Sequence, residues 1–95
     1  MLTIERLLSF EKDDLQEASK TINIDDLHQL VDWLSEKDDT IRYHSFLLLQ
    51  HRSKDFGDVY PYWDIYCEKL MSTNSYQRSL GLMLIAANAK WDSAL

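Results

Sequence analysis

The chain has 95 residues, of which 45% are hydrophobic and 27% charged, and these values are typical of one small globular domain. Two glycines and one proline are too few for the turns of an all-β fold, so the composition favours an all-α protein. The net charge of −6 repels phosphate backbones and so disfavours nucleic acid as a partner.

Apolar spacing predicts helices along the whole chain, beginning with two short ones over residues 2–10 and 13–22. A third helix is predicted over residues 24–34, where apolar residues recur at the spacing of one helical face. Asp25 or Asp26 is expected to cap this helix, because a carboxylate accepts hydrogen bonds from the free N–H groups of the first turn.

A fourth helix is predicted after the polar turn that contains Asp38 and Asp39. Its apolar surface extends nearly all round, which is typical of a helix packed between neighbours. Gly57 fits the turn that ends it. The face expected to be buried carries Ile41, Ser45, Leu48 and Leu49.

Two further helices complete the predicted series. Pro61 fits the start of the fifth helix, because its missing N–H needs no partner in a first turn. Asn74 or Ser75 is expected to cap the sixth. The apolar stripes of these two helices are Trp63, Tyr66, Cys67, Leu70 and Met71, and then Tyr76, Leu80, Met83, Leu84, Ala87 and Trp91.

Shifting the chain by 36 positions aligns residues 27–55 with residues 63–91. The matching pairs include Leu34 and Leu70, Asp38 and Asn74, Arg42 and Arg78, and Leu48 and Leu84. The sequence therefore predicts one helical-repeat domain over residues 1–95. It comprises a partial first unit (1–22), repeat one (24–55) and repeat two (59–92). Such helix pairs bury their inner faces only by stacking on one another.

The turn with Asp38 and Asp39, followed by Thr40-Ile41-Arg42, is similar to the turns of HEAT-like repeats. Over residues 24–92 the chain resembles a group of bacterial HEAT-like proteins sometimes labelled SufBD. The segments that carry this second resemblance are Ser75-Tyr76-Gln77-Arg78-Ser79-Leu80-Gly81-Leu82 and Leu84-Ile85-Ala86-Ala87-Asn88-Ala89-Lys90-Trp91-Asp92.

The resemblance implies a right-handed α-α superhelix of five or six helices. It also implies a further helical pair, so the chain is expected to be truncated at its C-terminal end or to need another partner for its last helix. The SufBD label refers to iron–sulfur assembly, but one cysteine cannot hold a cluster.

Arg42 and Arg78 are the most regularly placed charges in the two repeats. The resemblance implies a structural role for them, in which each guanidinium binds turn carbonyls or carboxylates such as Asp38 and Asp39. The alternative is a row of cations that binds an anion or a partner.

Aromatic residues mark the candidate partner-binding surface, because such side chains are enriched at the energetic centres of interfaces. Tyr60 and Tyr62 lie at a helix start and are expected to be partly exposed. Trp33 flanks the apolar stripe of its helix, so it either packs half-buried or joins an exposed binding ridge.

Cys67 is the only cysteine, which excludes an intrachain disulfide and favours a cytoplasmic location with the thiol in a packing role. His44 and His51 are seven residues apart, and the helical rise of about 10 Å between them is too long for two ligands of one metal. No metal site, cofactor or enzyme motif is recognised. No apolar stretch approaches the roughly 20 residues of a membrane span.

The most favoured function is a non-catalytic module that binds another protein as a scaffold or adaptor, the partner carrying a basic patch. The alternative is a HEAT-like protein that binds DNA lesions or acts as a glycosylase, which the net charge of −6 disfavours. A homodimer through the last helix is a third hypothesis, compatible with the first.

Overall fold

The computed structural model describes residues 1–92, and within them it shows six α-helices, four 3₁₀ helices and no strand. The all-α class predicted from the composition is confirmed. The α-helices are α1 (Ile4–Ser9), α2 (Leu15–Thr21), α3 (Leu27–Trp33), α4 (Asp39–Asp55), α5 (Trp63–Lys69) and α6 (Ser75–Asn88). The 3₁₀ helices are Lys12–Asp14, Ile24–Asp26, Tyr60–Tyr62 and Ala89–Trp91.

The two predicted repeats, residues 24–55 and 59–92, have the same order of elements. In each, a three-residue 3₁₀ turn leads directly into a seven-residue helix, α3 or α5. A polar turn then leads into a longer helix, α4 with 17 residues or α6 with 14. The starting residues Ile24, Leu27 and Asp39 recur 36 positions later as Tyr60, Trp63 and Ser75.

Side-chain caps fix the start of both long helices. Asp38 Oδ1 accepts hydrogen bonds from the N–H groups of Thr40 and Ile41, at 2.8 and 3.1 Å. Asn74 Oδ1 caps α6 in the same way. Asp26 stands at the N-cap position of α3 but makes no side-chain cap hydrogen bond, so the predicted cap by Asp25 or Asp26 is wrong. The helical segment begins earlier, with a 3₁₀ turn at Ile24. The side chain of Asn23 caps that turn, and Asp26 Oδ1 accepts from the N–H of Leu2 instead.

Asp38→Ala is expected to lower the free energy of unfolding by about 1 kcal/mol, because two N–H groups of α4 lose their acceptor. Urea denaturation measures the change. Asp38→Asn is the matched control, since asparagine keeps the capping oxygen and already stands at the equivalent position 74. The two variants would be equally destabilised if the charge rather than the cap mattered.

Helix α4 is the centre of the core, packing against α1, α2, α3 and α6, while α5 packs on α6. This agrees with the apolar surface that extends nearly all round α4. The core consists mainly of leucines, and the completely buried apolar side chains are Leu7, Leu15, Leu27, Leu30, Leu34, Leu48, Leu49, Val59, Tyr66, Leu80 and Leu84. Among residues 1–92, no helix is both long and apolar enough to cross a membrane.

Gly57 follows the end of α4, where Phe56 donates its N–H to the carbonyl of Arg52. No residue of the described chain, Gly57 included, has a positive φ. A Cβ at Gly57 would lie 3.3 Å from the indole of Trp91. Glycine therefore serves close packing at this turn rather than a left-handed backbone.

Candidate functional site

Arg42 holds the turn between α3 and α4 together. Its Nη1 donates to the carbonyls of Glu36 and Lys37, both at 2.8 Å. Its Nη2 donates to the carboxylate of Asp39. Guanidinium contacts of this kind satisfy turn carbonyls that would otherwise lack a donor.

Arg78 occupies the equivalent turn of repeat two and donates from Nη1 to the carbonyl of Ser72 at 2.9 Å. The two arginines differ in what covers them. The guanidinium of Arg42 lies 4.9 Å from the ring centroid of Tyr76 in α6, so repeat two shields it from solvent. Arg78 is exposed on the outer side of α6.

Equivalent apolar residues of the two repeats also differ in exposure. Leu34 is completely buried, whereas Leu70 is 38% exposed. Phe46 is 4% exposed, whereas its counterpart Leu82 is 60% exposed. Repeat two lies against repeat one at this end, as the 2.8 Å hydrogen bond from Gln77 Nε2 to the carbonyl of Leu34 shows.

Repeat two thus exposes two leucines, Leu70 and Leu82, whose counterparts in repeat one are buried. Each of these leucines is followed in sequence by an exposed methionine. We call these residues the outer surface of repeat two: Leu70, Met71, Leu82 and Met83. Leu82 lies one helical turn from Arg78, so an apolar and a cationic side chain share this side of α6. Another helix can pack on a helix face that combines apolar side chains with a cation, as α6 packs on α4.

Trp33 is buried, which corrects the prediction that it contributes to a partner-binding surface. It belongs to the same buried cluster as Leu30 and Leu34. Tyr60 and Tyr62 are half-buried. The ring of Tyr60 lies 5.4 Å from that of Trp63. The three predicted aromatic residues therefore do not form one exposed ridge.

The phenol groups of Tyr62 and Tyr66 remain protonated at neutral pH. Tyr66 is completely buried and donates its hydroxyl to the carbonyl of Val59 at 3.1 Å. Burial raises the pKa of Tyr66. Burial, followed by the charges of Asp32 and Asp58, also raises the pKa of Tyr62. These side chains act as packing and hydrogen-bonding groups.

Cys67 is half-buried. His44 Nδ1 contacts the carbonyl of Thr40 at 2.9 Å. Burial, followed by the charge of Lys54, lowers the pKa of His51. Within the described range, no three histidine, cysteine or acidic side chains are grouped so as to hold a metal ion.

The C-terminal part of α6 is bound to α4 by polar contacts. Asn88 is completely buried, and its Nδ2 donates to Ser53 Oγ at 3.1 Å and to the carbonyl of Leu84 at 2.9 Å. Trp91 Nε1 donates to the carbonyl of Ser53 at 2.7 Å. These contacts align the two long helices and leave the opposite side of α6 outward.

Sequence reasoning missed two buried cations, Arg52 and Lys69. Arg52 had no visible pattern, because the two carbonyls that it binds lie 33 and 30 residues away, although its carboxylate partner Asp58 is only six residues away. Lys69 did have one, since the 36-residue shift places it at the position of Trp33, where repeat one carries an apolar side chain.

Comparisons with protein-family models, with curated proteins and with solved structures find no significant match for this chain. The function is therefore inferred from the residues and geometry described above.

Proposed function

We propose that this protein is a non-catalytic helical-repeat module that binds another protein, as a scaffold or adaptor in the cytoplasm. The observation that carries the proposal is the outer surface of repeat two. Its Leu70 and Leu82 are exposed at positions where repeat one buries Leu34 and Phe46. Groups of exposed large apolar side chains mark interaction sites, whereas single ones are ordinary. Here two pairs of neighbouring residues are exposed, Leu70 with Met71 and Leu82 with Met83.

The packing of α6 on repeat one indicates how a partner would bind. An aromatic ring covers Arg42, and an amide donates to the carbonyl of Leu34. Arg78 and the carbonyl of Leu70 are the equivalent groups of repeat two. We therefore expect the partner to present an amphipathic helix, with an aromatic side chain near Arg78 and apolar residues against Leu82. This continues a stack of HEAT-like pairs with a right-handed superhelical path.

The net charge of −6 favours a partner with a basic surface, because opposite charges accelerate association and disfavour wrong partners. A second copy of the chain would meet like charge. Isologous packing of two α6 helices nonetheless remains compatible with the same surface.

The test is affinity capture with the full chain and with the double variant Leu82→Gln, Met83→Gln, from an extract of the source organism. Glutamine keeps helix propensity and removes the apolar side chains. Leu8→Gln is the matched control, because Leu8 is exposed on α1, in the N-terminal segment. We expect one stoichiometric protein to be retained by the parent chain and by Leu8→Gln, and to be lost from the double variant.

Two outcomes contradict the proposal. One is that the folded parent chain retains no protein at stoichiometric level. The other is that the double variant retains the same protein equally well. Sedimentation of the purified chain tests whether a second copy of the chain binds this surface instead. A dimer that dissociates in the double variant would show that α6 binds a second copy.

A further inference from the structure

A cleft of about 440 Å³ lies between the two inter-helix turns. One wall is the turn after α3, with Ser35 and Glu36, and the other is the turn between α5 and α6, with Ser72. Leu82 and Met83 do not line the cleft. It is therefore separate from the outer surface of repeat two.

Lys69 lines this cleft and is 9% exposed. Its Nζ donates to Gln77 Oε1 at 2.7 Å and to Ser35 Oγ at 3.3 Å. Both acceptors are neutral, and no carboxylate of residues 1–92 forms a salt bridge with Lys69. A lysine is rarely buried without a counter-charge, and an ammonium has three N–H donors, so one donor remains unused.

Arg42 also lines the cleft. Both of its terminal nitrogens are hydrogen-bonded within the turn. Its Nε is buried and has no hydrogen-bond partner. This buried donor is shielded from the cleft as well as from solvent, so the positive charge of Arg42, rather than its Nε, acts on a group bound there.

Comparison with repeat one shows that packing at the position of Lys69 does not require a charge. The counterpart of Lys69 is Trp33, which is equally well buried. The counterpart of Gln77 is Ile41, also buried. Repeat one fills the equivalent positions with apolar side chains, whereas repeat two places a cation and an amide at the wall of a cleft.

We propose that this cleft binds a carboxylate group, whose oxygens accept hydrogen bonds from the Lys69 ammonium and lie near the positive charge of Arg42. Ile65 also lines the cleft and provides contact for an apolar part of the ligand. Glu36, Lys37 and Glu68 line it as well. The two carboxylates repel anions, and the repulsion grows with the charge of the anion. The ligand is therefore a monocarboxylate, either a small organic acid or an acidic residue of a peptide.

Binding depends on the charged form of Lys69. Burial lowers the pKa of the Lys69 ammonium in the unliganded chain. A carboxylate beside it favours the charged form and raises that pKa again. Affinity is therefore greatest below the pKa of Lys69 and decreases as the pH rises through it.

Nuclear magnetic resonance on the full chain tests the proposal with three probes: propionate, N-acetyl-Gly-Asp-Gly-amide and inorganic phosphate. We expect saturable shifts at Ser35 and Gln77 with at least one carboxylate probe, and weaker binding of phosphate. Stronger binding of propionate identifies a small acid as the ligand class, and stronger binding of the peptide identifies an acidic side chain. Lys69→Gln should weaken carboxylate binding about tenfold or more.

Lys12→Gln is the matched control, because it removes the same charge from an exposed residue distant in sequence from the cleft. A second measurement, on the parent chain, follows the Lys69 ¹³Cε resonance with pH, and saturating carboxylate should raise the pKa of Lys69. This measurement keeps the proposal testable if Lys69→Gln does not fold. No saturable shift with either carboxylate, tighter binding of phosphate, or undiminished binding by folded Lys69→Gln would overturn the proposal.

Discussion

Replacing Arg52 with alanine is expected to lower the free energy of unfolding by about 3–5 kcal/mol. Arg52 is 7% exposed and forms a two-point salt bridge with Asp58, at 3.1 Å from Nε and 2.7 Å from Nη2. Its Nη1 donates to the carbonyls of Ser19 and Ile22, both at 2.9 Å. Alanine would leave one carboxylate and two carbonyls without their donor, in an environment that water reaches poorly.

The position of Arg52 explains why the expected loss is large. Ser19 lies in the last turn of α2, and Ile22 follows that helix. A cation at a helix C-terminus satisfies free carbonyls and interacts favourably with the helix dipole. Asp58 belongs to the connection between α4 and α5. One side chain therefore joins the N-terminal segment, α4 and the connection to repeat two.

Chemical denaturation measures the effect, as a shift of the midpoint with little change in the slope. Arg78→Ala is the matched control, because Arg78 is exposed and donates to a single turn carbonyl. A double variant, Arg52→Met with Asp58→Leu, should lose less stability than Arg52→Ala, since no buried charge is left unpaired. A loss below about 1 kcal/mol for Arg52→Ala would show that the contacts contribute no more than an exposed pair does.

Gly81→Ala is the second substitution with a large expected effect. Alanine in place of glycine usually stabilises a helix interior, by about 1 kcal/mol. A Cβ at position 81 would lie 2.6 Å from the carbonyl oxygen of Tyr66 and 2.9 Å from Cβ of Lys69. Backbone cannot move aside as a flexible side chain does. We therefore expect a net loss of about 1–3 kcal/mol, because α5 and α6 must separate.

Ser79→Ala in the same helix is the control for this prediction, since Ser79 is exposed and its substitution should change stability by less than about 0.5 kcal/mol. Thermal unfolding of the two variants gives the comparison. A Gly81→Ala variant that melts above the parent chain would mean that α5 is not held so close to α6 in solution.

Local patterns were sufficient to predict the helices and their order. The caps of α4 and α6 could be read from sequence because Asp38 and Asn74 bond to N–H groups two and three residues away. The turn between α3 and α4 could be predicted for the same reason, because Arg42 binds groups only three to six residues away.

The burial of individual side chains was less predictable, because it depends on distant partners. Trp33 looked like a residue at the edge of the apolar stripe, but the structure places it inside the core. Lys69 and Arg52 are charged residues that are nevertheless buried. Lys69 donates to Ser35, 34 positions away, and Arg52 donates to the carbonyl of Ser19, 33 positions away. Hydrophobic periodicity reports which face of a helix is apolar, and it carries no information about where such contacts form.

The central position of α4 has a consequence for cooperativity. The N-terminal helices contact α4, and α6 is joined to the rest of the chain mainly through its contacts with α4 and α5. Opening α4 would therefore expose both halves of the protein to solvent at once. We therefore expect the two repeats, although alike in sequence, to unfold together as one cooperative unit rather than independently.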